Sequence, residues 1–220
     1  MRQKPDLTTI LFLATSLVST CLLAYVPRQS EFWLIGAFFT PFFLVYLFAF
    51  WKNEGLLLPF HFWQFWGIAL RLIVLFSIPN LSDDFYRFIW DGRIWQSGQN
   101  PFDHLPSYFL EEQNRLPGLD AGLFSRLNSP AYFTIYPPVC QFFFAISGWF
   151  GGGISPPLIF LKIVVVSFEV ATIFLFPKVL KLYGAKPERS LLYVLNPLII
   201  IEVSGNLHFE GVMIFFLLAA

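Results

Sequence analysis

Leu81–Pro101 reads LSDDFYRFIWDGRIWQSGQNP, a charged and aromatic island in an otherwise strongly apolar chain. The apolar run just before it, Phe60–Ile78, is long enough to cross a bilayer. Ser82 is a good helix N-cap, and Asp83 and Asp84 then fall in the first turn, where the helix dipole favours negative charge. At 100° per residue Asp83, Asp84, Arg87 and Asp91 share one arc, while Phe85, Phe88 and Ile89 face away. Gly98 is a natural stop, and Asn100-Pro101 forbids continuation. The stretch predicts a short amphipathic helix lying at a membrane surface, with its acids directed at a ligand.

The rest of the chain sets that membrane. Of 220 residues, 56% are hydrophobic, 20% aromatic and only 13% charged, where a soluble domain has about a quarter charged. Mean hydropathy is +0.64. The expected fold is all-α: a multi-pass transmembrane helical bundle with a large external loop carrying amphipathic juxtamembrane helices. The 14 basic and 14 acidic side chains cancel, so there is no electrostatic footprint for nucleic acid. Cys21 and Cys140 sit in apolar stretches without metal or disulfide spacing and read as packing residues. Arg2 and Lys4 precede a run of spanning length without a cleavage site, so Leu7–Val26 reads as an uncleaved first span. Gly211–Ala220 begins an apolar helix of about half the length a span needs. The expectation is therefore the N-terminal part of a larger protein.

Spans are expected at 7–26, 32–50 (thinned or kinked by Pro41), 60–78, 157–176, 190–203 and, truncated, 211–220, within a single transmembrane domain covering 1–220. Trp51–Gly55 is a polar turn. A basic N-terminus inside puts the loop 79–156 outside. Tyr136–Phe150, opened by Pro137-Pro138 and closed by Gly151-Gly152-Gly153, is short for a span and suits a re-entrant or interfacial helix. That choice keeps Lys178, Lys181, Lys186 and Arg189 on the cytoplasmic side. Asp83/Asp84, Tyr136-Pro137-Pro138 and the Glu202–Glu210 cluster are then expected on one external face.

Each candidate has a functional and a structural reading. Paired acids can remove a proton from an attacking hydroxyl, or hold a divalent cation against phosphate. They can also simply decorate a helix start, with Asp83–Arg87 and Arg87–Asp91 as i,i+4 pairs. Because Ser82 supplies the cap, two further acids exceed what capping requires. Arg71 inside a span is either functional or packed against a partner helix and bonded to carbonyls, and both readings stay open. Lys162 and Glu169 share a face and read as a structural pair. Tyr136-Pro137-Pro138 alone reads as a helix start. His208-x-Glu210 is too short for a zinc motif.

The order of these elements resembles the GT-C membrane glycosyltransferases, in particular the polyprenyl-phosphate-mannose-dependent mannosyltransferases. The matching residues are Asp83-Asp84-x-Tyr86-Arg87-x-x-Trp90-Asp91-Gly92, Gly98-x-Asn100-Pro101, Tyr136-Pro137-Pro138, Asn196-Pro197-Leu198, and Gly205, His208 and Glu210. The likeness runs from about Phe60 to the end, and Met1–Gly55 matches nothing nameable. The family's G-H-x-D/E element has two extra residues here between Gly205 and His208. The resemblance implies transfer of a hexose, mannose first, from a polyprenyl-phosphate donor to a glycan or lipid acceptor at the external face, by inverting displacement. It implies Asp83 as the base and Asp84 as its electrostatic partner or metal ligand, with a divalent cation as the open cofactor question. Arg87 or Arg93 would meet the lipid phosphate, and Asp91, Tyr136, His208 and Glu210 would complete substrate binding. The implied setting is a multi-pass protein of a bacterial inner membrane, partnered by lipid. Two other readings compete: a non-catalytic transporter, disfavoured by charges gathered at one face without a repeat, and another lipid-phosphate enzyme that joins glycans.

Overall fold

The computed structural model describes residues 6–51 and 58–220. Arg2, Lys4 and most of the Trp51–Gly55 turn lie outside the described residues. Every regular element among the described residues is helical, and there is no strand. The chain forms two compact units: residues 82–164, and residues 1–81 together with 165–220.

In the unit formed by the two outer parts of the chain, α1 (Leu7–Tyr25) packs on α2 (Phe32–Trp51) and α3 (Phe60–Val74). Asp6 starts α1 by accepting a hydrogen bond from the Thr9 amide at 2.8 Å, and the Thr9 hydroxyl and amide together hold its carboxyl below the usual range. The inner stripe of α1 is small and polar, with Thr9, Ser16, Ser19 and Thr20 all buried. Small residues let helices approach closely where hydrocarbon surrounds them. Phe12 stands edge-on to Phe42 and to Trp63, with centroids 5.8 and 5.5 Å apart. Side-chain donors staple the helices: Trp66 Nε1 to Ser16 Oγ at 3.0 Å, Tyr25 OH to Ile73 O at 2.7 Å, and Gln64 Nε2 to Ile173 O at 3.0 Å. Pro41 is accommodated inside a continuous α2.

Two expected spans come out differently. The run 60–78 is helical only to Val74, fifteen residues, because Ser77 folds back on Val74 O and Ile78 precedes Pro79. The run 190–203 is broken into α8 (Leu191–Val194) and a π-helix at Ile199–Gly205. Pro197 removes a helical donor there, and Asn196 Oδ1 accepts the Leu198 amide at 2.9 Å. The π-helix then bends by 106° into α9 (Glu210–Ala219). Among the described residues three helices are long and apolar enough to cross a membrane: α1, α2 and α7 (Ser155–Leu182). The bent pair makes a fourth candidate if it counts as one broken span.

The 28 residues of α7 exceed the expected 157–176 and begin in one unit and end in the other. The helix stops at Gly184, where φ is +71° and the Ala185 amide reaches back to Leu180 O at 2.8 Å.

In the unit formed by residues 82–164, α4 (Asp84–Gln96) packs along α6 (Pro138–Gly148). Phe88 stacks on Phe144 at 4.5 Å and meets Tyr136 edge-on at 4.8 Å. The segment between these helices is irregular, with single turns at Pro106–Leu110 and Glu112–Asn114 and a short α5 (Ala121–Phe124) capped by Asp120. It buries Phe109, Leu119, Leu123 and Leu127. At eleven residues, α6 has about half the length of a span.

Candidate active site

The decisive helix stops where its sequence says it should. The Gly98 amide donates to Trp95 O at 3.0 Å with φ at +76°, and Asn100 Oδ1 accepts the Phe102 amide at 3.1 Å, turning the chain at Pro101. Its start differs from expectation. Helical geometry begins at Asp84, the cap position is Asp83 rather than Ser82, and the Asp83 side chain makes no capping bond. Ser82 Oγ only reaches the Asp84 amide at 3.4 Å.

Nor is α4 an amphipathic surface helix. Phe85, Arg87, Phe88, Ile89, Trp90, Asp91, Gly92 and Ile94 are all buried, which leaves only the face of Tyr86 and Arg93 partly open. The expected acidic arc therefore divides. Asp83 is exposed and Asp84 half-buried at the first turn, while Arg87 and Asp91 lie inside.

Arg87 and Asp91 form a closed network. Arg87 Nε donates to Asp91 Oδ1 at 2.8 Å, and Arg87 Nη1 to Tyr132 O at 3.0 Å. Asp91 Oδ2 accepts from Thr134 Oγ1 at 2.5 Å and from Gln141 Nε2 at 2.9 Å. Gln141 Oε1 in turn accepts from Trp95 Nε1 at 2.9 Å. Burial pushes the Asp91 carboxyl up, and Arg87, Thr134 and Gln141 pull it back only in part. The network ties the loop before Pro137 and the buried side of α6 to α4. Both side chains are buried, both oxygens of Asp91 accept hydrogen bonds, and the pair acts on the loop that carries Asn128.

Asp84 Oδ1 accepts a hydrogen bond from Asn128 Nδ2, and Asn128 Oδ1 accepts from Ser129 Oγ at 3.0 Å. Adjacent acids thus have different surroundings: one held by an amide, the other open. Tyr136 is half-buried with its ring edge-on to Phe88 and Phe144, so its ring belongs to the α4–α6 packing. Arg93 Nη1 and Nη2 donate to Gly118 O at 2.6 Å and Gly153 O at 2.7 Å. Burial lowers the Arg93 pKa from its ordinary value, with Asp120 opposing. Arg93 stands in the wall of a cleft of about 600 Å³ that also exposes Asp120, Arg126 and the Gly151–Gly153 backbone.

His208 and Glu210 belong to the other unit. There the π-helix ends through Asn206, whose amide donates to Ile201 O at 2.8 Å, and Leu207 adopts φ +63° while fully buried. This left-handed residue occupies the two-residue insertion between Gly205 and His208, and turns the chain into α9. Ser204 Oγ, Asn206 Nδ2 and His208 Nε2 are buried atoms without a hydrogen-bond partner among the described residues. Glu210 is exposed at the start of α9.

Arg71, the cation expected inside a span, is explained by packing. Its Nε and Nη2 donate to Glu169 Oε2 at 3.0 and 2.9 Å, and its Nη1 to Val194 O at 2.8 Å and Gly67 O at 3.0 Å. Glu169 therefore pairs with Arg71, where the sequence suggested Lys162. Glu169 Oε1 accepts from Tyr193 OH at 2.6 Å. Among the described residues no three His, Cys, Asp or Glu side chains group as metal ligands.

The sequence reading passed over Asn128, Thr134 and Gln141. Gln141 carried a signal, because a long polar amide in the apolar run Tyr136–Phe150 needs a partner. Asn128 and Thr134 lie in an irregular segment without any periodicity to mark them.

Residues 59–220 match the family model for the alpha-(1->6)-mannopyranosyltransferase N-terminal domain. No curated protein and no solved structure matches the chain. The family match starts where the motif likeness starts, at the run leading into Asp83-Asp84, and takes in Asp83, Asp84 and Asp91, α6 and the bent 199–210 segment. With three helices among the described residues long and apolar enough to cross a membrane, the chain belongs to the alpha-(1->6)-mannopyranosyltransferase family, a membrane protein of a mannosyltransferase lineage.

Proposed function

We propose that the chain carries the acid-bearing part of a GT-C-type mannosyltransferase that uses a polyprenyl-phosphate-linked mannose and works at the external face of the membrane. The observation that carries the reading is the division of labour at the start of α4. Asp83 is exposed and spends nothing on capping, while Asp84 beside it is fixed by Asn128. In the reaction an acceptor hydroxyl oxygen attacks the anomeric carbon, the bond from that carbon to the phosphate oxygen breaks, and polyprenyl phosphate leaves with the electron pair. The hydroxyl proton passes to Asp83. Phosphate is a good leaving group, so the base is the group the protein must supply. The displacement inverts, so an alpha-linked product requires a beta-linked donor.

Asp84 supplies a second negative charge beside the base, or shares a divalent cation with it. Two carboxylates offer only part of a cation's shell, so substrate phosphate and water would complete it. Arg87 and Asp91 are assigned as positioning residues that hold the loop opposite the acids. Arg93 is assigned to the cleft wall, and His208 and Glu210 to acceptor or donor contacts.

The test is transfer by purified protein in detergent, with synthetic polyprenyl-phosphate-mannose and an alpha-(1->6)-linked mannose oligomer as acceptor. Wild type should release polyprenyl phosphate and lengthen the acceptor, and Asp83→Asn should lose transfer by at least 100-fold while melting like wild type. Undiminished transfer by Asp83→Asn would remove it as the base. Transfer from another polyprenyl-phosphate sugar alone would keep the class and change the donor.

A further inference from the structure

The first turn of α4 is met by the segment that follows α5. Asp120 caps that short helix by accepting the Leu123 amide at 2.8 Å. The Arg126 and Leu127 amides close it by donating to Leu123 O and Phe124 O, both at 3.1 Å. Leu123 and Leu127 are buried, and the Phe124 ring lies 5.9 Å from that of Trp90 on α4. Apolar packing thus sets where the segment starts. Arg126 then lays its guanidinium over the Tyr86 ring, 5.6 Å from the centroid. Two residues on, Asn128 Nδ2 donates to Asp84 Oδ1. Beyond it, Ser129 O and Tyr132 O accept Arg87 Nη1 at 3.4 and 3.0 Å.

At about 100° per residue, Tyr86 and Asp84 stand about 200° apart around the helix. Contacts with both require residues 126–128 to pass across the start of α4. Arg126 and Asn128 are both exposed, so water competes for the Asn128 amide wherever the backbone does not hold it to the acid. The ring under Arg126 is itself held, because Phe85 is buried with its ring 4.0 Å from that of Tyr86. Among the described residues Arg126 forms no ion pair, with either acid or any other group, so the ring face is what orients it. A guanidinium is planar, always charged and weakly hydrated, which suits it to an aromatic face.

We propose that Arg126 is a positioning residue, whose seat on Tyr86 holds residues 126–132 across α4 and keeps Asn128 on Asp84. Its purpose rests on the reading of Asp83 and Asp84 as the acids of the transfer site. Arg126 acts on Asp84 only through Asn128, and Tyr86 contributes its ring face and not its hydroxyl.

The experiment measures transfer and backbone amide exchange on the full chain in detergent. Arg126→Ala and Tyr86→Leu should each lower kcat about fivefold, the strength of one exposed cation–π contact. KM for donor and acceptor, and melting, should not change. Tyr86→Phe keeps the ring face and should transfer like wild type. Arg126→Ala combined with Asn128→Ala should be no slower than Asn128→Ala alone, because both act on one bond. Hydrogen–deuterium exchange over residues 126–132 should be faster in Arg126→Ala than in wild type, and unchanged in Tyr86→Phe. Additive losses in the double variant, or equal exchange in Arg126→Ala and wild type, overturn the proposal. So does a raised KM for the donor, which would make Arg126 a substrate contact. Exchange that depends on Arg126 and Tyr86 in a protein that transfers no mannose keeps this seat and removes the proposed reaction. Transfer by wild type that Arg126→Ala matches does the reverse.

Discussion

Gly92 of α4 and Gly148 of α6 bring two backbones into direct contact. A Cβ on Gly92 would collide with Phe144 O, and one on Gly148 with Gly92 O. Because the obstacles are main-chain carbonyls, neither helix can yield by turning a side chain. Gly92→Ala and Gly148→Ala should each lower stability by about 1–3 kcal/mol or more, through forced separation of the helices. Thermal melting in detergent, followed by Trp fluorescence, reads the loss. Ser97→Ala, on the exposed end of α4, is the control and should melt within about 0.5 kcal/mol of wild type.

The Arg71–Glu169 pair makes a sharper prediction, because both side chains are fully buried. Removing one partner strands a charge. Glu169→Leu or Arg71→Met alone should cost about 3–5 kcal/mol, while the double replacement should recover much of that loss. Unfolding in graded denaturing detergent checks it. Additive losses in the double variant would show that the pair is not the unit that matters.

Asp91 gives a pH dependence. Its folded-state pKa is raised, first by burial and against the pull of Arg87. The folded protein therefore holds that proton more tightly than the unfolded chain. Its contribution to stability is greatest below the ordinary carboxylate pKa and falls as pH rises from there to the raised value. Asp91→Asn removes this titration, so the melting advantage of wild type over the variant should be larger near pH 4 than at pH 7. A difference that grows as pH rises would show that the Arg87 attraction outweighs the burial.

Asn128 is predicted to act through Asp84. A hydrogen bond to a charged group contributes about 1.5–3 kcal/mol. If Asp84 supports the base as proposed, Asn128→Ala should lower kcat by about 10- to 100-fold and leave KM for the acceptor and the melting temperature nearly unchanged. A rise in KM alone would place Asn128 in substrate contact and not behind the acid.

Much of this protein follows from the order of its residues. Apolar runs of spanning length make α1, α2 and α7 long and apolar enough to cross a membrane, where hydrocarbon leaves the backbone no partner but itself. Gly98 and Asn100-Pro101 end α4 where read, since a positive φ and a missing amide act within a few residues. The motif order around Asp83-Asp84 was equally legible, and the family match over 59–220 follows it.

Tertiary structure alone decided what the charges do. Arg87 and Asp91 lay on the expected arc with Asp83 and Asp84, yet they are turned into the α4–α6 packing by Thr134 and Gln141, more than forty positions along the chain. Arg71 found its counter-charge at Glu169, 98 residues away. Helical periodicity places a side chain on a face but is silent about what covers that face. The same limit hid the break at 196–207, where Pro197, a π-helix and left-handed Leu207 replace the expected span. A local pattern fixes length and hydrophobicity, whereas desolvation leaves a buried charge stable only beside its partner, and the fold supplies that partner.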